Sequence, residues 1–268
     1  MKQKSVVVLI PIYRAHLEPL EQFSLDYSLG KLQGREVRFI GPRQLDTSLY
    51  ERLYPGLPVD RFDDECFASI PGYNRLLMSR VFYERYPEHE FMLILQTDAI
   101  LLRDELDEWC AKPYDYVGAP WPDGLDIQVN LDRFKGEHAK RVHARVGNGG
   151  LSLRRSNRCI ALMDEFPEAL SVFCRTGSSE DIFFSIMGTL SLSFVLPNEM
   201  AASLFALELR PEHYHAVNGG RLPMGGHAWW RYNMPFWAAL LDQAPPVLLP
   251  ASPPGRAVIN AAAVSSSS

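Results

Sequence analysis

The sequence predicts an α/β protein with a mostly parallel central sheet flanked by helices, and three observations carry that prediction. VVVLIPIY, beginning at Val6, is a continuous β-branched run of the kind found in strands buried on both faces. A helix-spaced segment and a second apolar run, EVRFIGP, follow within about forty residues, giving the β-α-β order that begins a doubly wound fold. FMLILQ at 91–96 repeats the signature of a strand with no solvent face.

Between these runs the elements can be placed in order. Leu17, Leu20, Phe23 and Tyr27 recur at helical spacing, and Gly30 marks a stop. VDRFDD at 59–64 reads as a third strand. After Pro71 and Gly72, the side chains of Tyr73, Leu76, Leu77 and Val81 share one helix face, and Pro87 ends that helix. DYVGAPW at 115–121 forms a short strand and turn, and the charged residues 122–146 read as a surface loop or lid. VGNGGLSLRR at 146–155 joins a glycine turn to an alternating strand. Helical patches near 157–170 and 180–188 precede a strand at SLSFVLP. From Gln243 onward Pro, Ala and Ser dominate, the composition of a loosely held extension. The expected organisation is one domain over residues 1–242 and a tail over 243–268, without internal repeats.

Bulk properties exclude several classes. The 268 residues are 47% hydrophobic and 22% charged, the balance of a globular protein. A formal net charge of −5 gives no general attraction for nucleic acid or anionic membranes, so no nucleic-acid partner is expected. Cys66, Cys110, Cys159 and Cys174 lie far apart and form no CxxC pair, which argues for reduced thiols rather than a zinc cluster or disulfide framework. The apolar run Val6–Ile10 is too short for a secretion signal, and no stretch is long enough to span a bilayer. A cytoplasmic protein is expected.

The chemistry-bearing residues begin with Asp98, set alone in LILQTDAILL just past the carboxyl end of a buried strand. Open α/β sheets bind ligands at that edge. A carboxylate there can hold a hard divalent cation that grips a diphosphate; the local sequence equally allows a helix N-cap by Thr97 or Asp98 ahead of RDELDEW. In GNGG (147–150) the glycines allow backbone close to a ligand, and Asn148 offers a donor and an acceptor to sugar hydroxyls. A plain turn is the alternative, and neither GxxxxGK[ST] nor GxGxxG is present. Glu180-Asp181 is either a helix-start carboxylate pair or the source of a general base, its proton affinity raised beside apolar residues. His227 sits between glycines and a tryptophan pair, Trp229 and Trp230, whose rings can stack on a sugar or pack a lid. One histidine and one carboxylate suit Mn²⁺ when diphosphate oxygens and water complete its shell. His213 and His215 form an alternative pair.

Taken in order, IPIYR, FIGP, GYNRLLMS, LILQTDAILL, YDYVGAPW, VGNGGLSLR, SSEDIFFS and GGHAWW resemble the GT-A class of nucleotide-sugar glycosyltransferases. The likeness is closer still to a mostly bacterial glycosyltransferase-like family, and it extends over residues 4–232. It implies a GT-A-like (Rossmann-like) fold and transfer of a sugar from a nucleotide-sugar donor, UDP-type, to a hydroxyl of a glycan or glycoconjugate acceptor, with inversion. By this resemblance Pro11, Ile12 and Tyr13 line the nucleobase pocket, and Arg75 faces the diphosphate or sugar. Asp98 corresponds to the last carboxylate of a DxD motif whose first position is Gln96. Asn148, Gly149 and Gly150 border the sugar. Glu180 and Asp181 face the acceptor with Asp181 as base, and Trp229 and Trp230 supply an acceptor platform. Asp98 and His227 hold the implied cofactor, Mn²⁺ or Mg²⁺.

Gln96 removes one charge from the motif and supports a rival, a non-catalytic sugar-nucleotide or glycan-binding module. A nucleotidyltransferase is disfavoured because PIYRAHLEP lacks a glycine-rich loop. A glycosidase with paired carboxylates is at odds with the opening β-α-β unit.

Overall fold

The structure, a computed structural model, describes residues 5–246, so the expected tail lies outside the described residues from 247 onward. Its strands are β1 (Val6–Pro11), β2 (Glu36–Pro42), β3 (Val59–Phe62), β4 (Phe91–Leu95), β5 (Ala99–Leu101), β6 (Tyr116–Val117), β7 (Pro120–Val129), β8 (Lys140–Val146), β9 (Leu151–Arg155), β10 (Ala206–Leu207) and β11 (Gly225–His227). The helices are α1 (Pro19–Lys31), α2 (Ser48–Leu53), α3 (Ile70–Leu77), α4 (Arg80–Glu84), α5 (Leu106–Ala111), α6 (Ser156–Glu165), α7 (Pro167–Thr176), α8 (Glu180–Leu190), α9 (Glu199–Phe205), α10 (Pro211–Val217) and α11 (Trp229–Leu240).

The central sheet runs β3-β2-β1-β4-β9-β6. The β3, β2, β1 and β4 strands are parallel, β9 is antiparallel to both its neighbours, and β6 points the same way as β4. The expected α/β architecture, a mostly parallel sheet flanked by helices, is therefore observed. Alternation explains the continuous apolar runs. Val7 and Leu9 join Met92 and Ile94 in one core, while Val6, Val8 and Ile10 join Leu93 and Leu95 in the other. Both faces of β1 and β4 are covered, and burial of this kind stabilises by roughly 25 cal/mol per Å².

A second sheet, β10-β11-β5, starts where the first ends. After β4 the chain turns through Gln96-Thr97-Asp98, enters β5 and pairs antiparallel with β11, placing Ala99 opposite His227. Gly225 permits this approach: a Cβ there would lie 2.3 Å from the Ile100 carbonyl oxygen. Helix α1 lies against β5, and its buried Ser28 Oγ accepts the Leu101 N–H at 3.0 Å.

Several local expectations are corrected. Residues 122–146 form the β7/β8 hairpin rather than a loop. Along β8 the inward Val142, Ala144 and Val146 alternate with outward Arg141, His143 and Arg145, so the charges that suggested a loop are one face of a strand. The helix expected after Pro71 breaks into α3 and α4 at Ser79, whose Oγ accepts the Phe82 N–H at 3.3 Å. The patch near 157–170 likewise divides into α6 and α7 at Phe166-Pro167, since proline cannot donate an interior helix bond. SLSFVLP is irregular, and its Val195 is held by Asp115 instead of a ladder. Gly30 lies inside α1 rather than ending it.

None of the four cysteines is in a disulfide. Among the described residues no helix is long and apolar enough to cross a membrane.

Candidate active site

Beyond the carboxyl ends of β1 and β4 lie β11 and the GNGG turn. The Gln96–Asp98 turn is fixed on three sides. Gln96 N–H donates to the Gly150 carbonyl at 2.9 Å, Ala99 N–H to the Gln96 carbonyl at 2.9 Å, and Thr97 Oγ1 to Glu21 Oε1 at 2.9 Å. Glu21 in turn accepts two bonds from Arg14, at 2.6 and 2.7 Å. Thr97 and Asp98 are buried, at 6% and 8% exposure. A buried carboxylate must be compensated, and Asp98 has two cationic partners: His227 Nε2 at 3.2 Å from Oδ1 and Arg231 Nη2 at 3.3 Å from Oδ2. Burial works against its charge, but the His227 hydrogen bond and the two cations outweigh it and hold its pKa below the usual carboxylate value.

His227 collects contacts from four directions. Its Nδ1 faces Glu208 Oε2 at 3.0 Å, and its Nε2 faces Gln96 Oε1 at 3.2 Å as well as Asp98. The face of the ring lies against Gly150, where a Cβ would come within 2.1 Å of Nε2. Burial opposes the charged imidazolium, yet Glu208 and Asp98 push its pKa up to about 10. Oxygens about 3 Å from an imidazole nitrogen have the spacing of neighbouring positions in an octahedral shell with ligand distances of about 2.1 Å. Asp98, His227 and the Gln96 amide oxygen therefore fit one corner of a divalent-cation site, with Glu208 behind the imidazole. Among the described residues no group of three or more His, Cys, Asp and Glu side chains is arranged to hold a metal unaided. A cation here would draw its remaining ligands from a diphosphate and water.

On the other side of the GNGG turn lies α8. Asp181 Oδ2 accepts the Asn148 N–H at 3.0 Å, and Oδ1 accepts the Ile182 N–H at 2.8 Å. Burial, followed by the neighbouring Glu180 charge, raises the Asp181 pKa to about 7. Asn148 takes a left-handed φ of 57°, a conformation asparagine tolerates better than most residues. Its side chain is occupied from behind by Trp121 Nε1 at 3.1 Å and the Ala119 carbonyl at 3.3 Å. Glu180 is turned away from Asp181's partners: its Oε1 receives Arg154 Nη2 at 2.6 Å. Arg154 is fully buried and also reaches Ser152 Oγ and lies over the Tyr116 and Phe184 rings. Gly149 leaves the room this pair needs, since a Cβ there would meet Glu180 Oε1 at 2.2 Å.

The expected site residues thus separate into groups. Asp98, Gln96, His227 and Gly150 meet on one side of the GNGG turn, and Asn148 and Asp181 meet on the other, with Gly149 against the buried Glu180. Pro11 and Ile12 are buried at the end of β1, with Tyr13 beside them 54% exposed. Arg75 is exposed on α3 and makes no hydrogen bond or ion pair with the cluster; its charge acts on Cys66 and Cys174. Trp229 does not serve as an acceptor platform. It is fully buried, its Nε1 donates to Ser24 Oγ at 2.8 Å, and it packs α11 onto α1. Trp230 is half-buried next to it. His213 and His215 sit on α10.

Glu208, Arg231 and Arg154 were not legible as site residues. Glu208 is an isolated carboxylate after a two-residue strand, Arg231 follows the tryptophan pair, and Arg154 looks like an ordinary outward strand charge. Two cavities, of about 380 and 590 Å³, open at the opposite, amino-terminal edge of the sheet around Tyr86 and His89.

A family model described as "Protein of unknown function (DUF5672)" matches residues 56–227. No curated protein matches the sequence. Among solved structures the chain is similar to the apo form of mouse xyloside xylosyltransferase 1, at 12% identity and a TM-score of 0.46 over 83% of this chain and 97% of that one. It is similar to the apo WbbM bifunctional glycosyltransferase at 10% identity and 0.46, over 84% of this chain and 45% of that one. It is also similar to a Bacillus anthracis protein assigned as a glucose-1-phosphate thymidylyltransferase, at 10% identity and 0.37, over 73% of this chain and 98% of that one. At such scores these likenesses carry no argument about chemistry, which rests on the chain's own residues.

Proposed function

The chain belongs to the DUF5672 family, whose description names no activity, and from its site we propose that it is a glycosyltransferase moving a sugar from a nucleotide-sugar to a hydroxyl acceptor. One observation carries this reading. A single four-residue turn, GNGG, touches both halves of the chemistry: Asn148 holds Asp181, and Gly150 holds the face of His227 beside Asp98. A carboxylate whose proton affinity is raised toward neutral pH stands on one side, and a cation-binding corner on the other.

In the proposed reaction the acceptor hydroxyl gives its proton to Asp181 while its oxygen forms a bond to the anomeric carbon. The bond from that carbon to the diphosphate oxygen breaks, and its electron pair leaves with the nucleoside diphosphate. A base facing the bond opposite the leaving group gives inversion. The backbone N–H groups of Asn148 and Ile182 hold the Asp181 carboxylate in place. Glu180, paired with Arg154, acts by positioning the start of α8 rather than by accepting a proton. Pro11, Ile12 and Tyr13 border the nucleobase, and Arg231 offers its guanidinium to the diphosphate where charge develops. Mn²⁺ or Mg²⁺, when bound, stabilises that diphosphate charge, and Asp98, His227 and Gln96 are the residues to hold it. The donor is of UDP type and the acceptor a glycan or glycoconjugate by the motif resemblance alone.

The test is thermal unfolding of the purified chain with UDP-, GDP-, CMP- and dTDP-sugars, with and without Mn²⁺, followed by assay of nucleotide release. A ligand that binds only the folded state raises the midpoint. A rise with one nucleotide class and acceptor-dependent release supports the proposal. A rise without turnover supports the second reading, a sugar-nucleotide-binding module, which Gln96 favours. No rise with any of the four overturns the donor site.

A further inference from the structure

We propose that Glu208 is the positioning residue of this site: from behind, its buried carboxylate fixes the His227 imidazole so that Nε2 is presented to Asp98 and Gln96. The inference rests on the cation-binding part of the proposed glycosyltransferase site.

The topology makes the contact. The β10 and β11 strands are parallel, with Ala206 opposite Gly225 and Leu207 opposite Gly226, so the residues following each, Glu208 and His227, emerge side by side. Glu208 is 8% exposed, and its Oε2 lies 3.0 Å from His227 Nδ1. Among the described residues His227 is its only side-chain hydrogen-bond partner. A carboxylate taken out of water is costly unless paired, and among the described residues no second side chain is hydrogen-bonded or ion-paired to Glu208. The carboxylate and the imidazole are thus kept together by mutual need.

The consequence is orientational. An imidazole can turn about its side-chain bonds and can carry its proton on either nitrogen. With Nδ1 committed to Glu208, the ring cannot flip without leaving that carboxylate unpaired. Gly150 packs against the ring and limits its tilt, since even a methyl group there would collide with Nε2. Nε2 is then left toward Asp98 Oδ1 and Gln96 Oε1, both at 3.2 Å. A carboxylate on the far nitrogen also makes the near one a better cation ligand. Because the site has one carboxylate and a neutral amide where two carboxylates are usual, the quality of its imidazole ligand matters more.

The decisive experiment is titration of the full chain with Mn²⁺, read by electron paramagnetic resonance, for wild type, Glu208→Ala, Glu208→Gln and His227→Ala. UDP, GDP and dTDP binding in excess chelator is measured in parallel by calorimetry. Glu208→Ala is expected to weaken Mn²⁺ about 10- to 100-fold, the range for removing a carboxylate behind a ligating histidine. Glu208→Gln keeps an acceptor oxygen and nearly the same volume, so it folds as wild type and loses less. Nucleotide binding in chelator is expected to stay within about twofold of wild type in both. A wild-type Mn²⁺ affinity in Glu208→Ala alongside a lowered one in His227→Ala would make Glu208 structural and overturn the inference. Wild type that binds a nucleotide but no Mn²⁺ would also overturn it, leaving the proposed function in place. Wild type that binds neither would remove both.

Discussion

His227 Nε2 stands 3.2 Å from Asp98 Oδ1 because β5 and β11 pair in the one register that sets Ala99 opposite His227. The two residues come from distant parts of the chain and are brought together by this short antiparallel ladder. Replacing either by alanine is expected to abolish the Mn²⁺-dependent part of any nucleotide-induced rise in Tm. The Mn²⁺-independent part, contributed by the nucleobase end near Tyr13, is expected to survive. A Mn²⁺ response that persists in both variants would place the cation elsewhere.

Asp181→Asn is expected to lower transfer by about 10²- to 10⁴-fold, the usual worth of a general base, with nucleotide-sugar binding retained. The proposed reaction needs the carboxylate form, so the wild-type rate should rise with pH through about 7, following the raised pKa. The stability effect has the opposite sense. Asp181 holds its proton more tightly folded than unfolded, so its ionisation costs stability progressively as pH rises from the ordinary carboxylate range through about 7. Asp181→Asn should therefore raise Tm more at pH 8 than at pH 5. Equal Tm changes at the two pH values would argue that the carboxylate is not held protonated.

The Gly150→Ala change tests the packing of the imidazole. A methyl group 2.1 Å from His227 Nε2 forces the ring away, and overpacking of this kind typically costs about 1–3 kcal/mol. The expected result is a modest fall in the urea midpoint with loss of Mn²⁺ affinity beyond tenfold. Retained affinity would show that the ring does not need this seat.

Glu180→Ala is expected to destabilise the fold by about 3–5 kcal/mol, because it leaves the fully buried Arg154 guanidinium uncompensated. The paired change Glu180→Gln with Arg154→Met should recover much of that loss. Urea unfolding of the wild type and the two variants decides the matter. A loss below about 1 kcal/mol for Glu180→Ala would mean that the Tyr83 hydroxyl, which accepts from Arg154 Nη1 at 3.4 Å, and Ser152 suffice for Arg154.

The central sheet was legible because VVVLIP and FMLIL are buried on both faces, and no other element tolerates such runs near the start of an α/β chain. The convergence of Asp98, GNGG, Asp181 and His227 was legible from motif order. What escaped depended on pairing between remote segments. Two- and three-residue strands such as β10 and β11 carry too few side chains to show a period, so nothing local marks Glu208 as a neighbour of His227. The β8 strand was missed because its outer face carries the charges and its inner face holds only Val142, Ala144 and Val146. Trp229 was misjudged because consecutive helical residues point about 100° apart, so only one of two adjacent tryptophans faces the core. The glycines of GNGG were read as making room for a ligand. In the structure Gly149 and Gly150 make room for Glu180 and His227.

The β5/β11 ladder also sets an order of events in time. Asn148 and Asp181 are synthesised before Gly225–His227, so no imidazole can be set beside Asp98 until β11 has been made. A chain that stops before β11 lacks His227 and cannot form the Asp98–His227 pair.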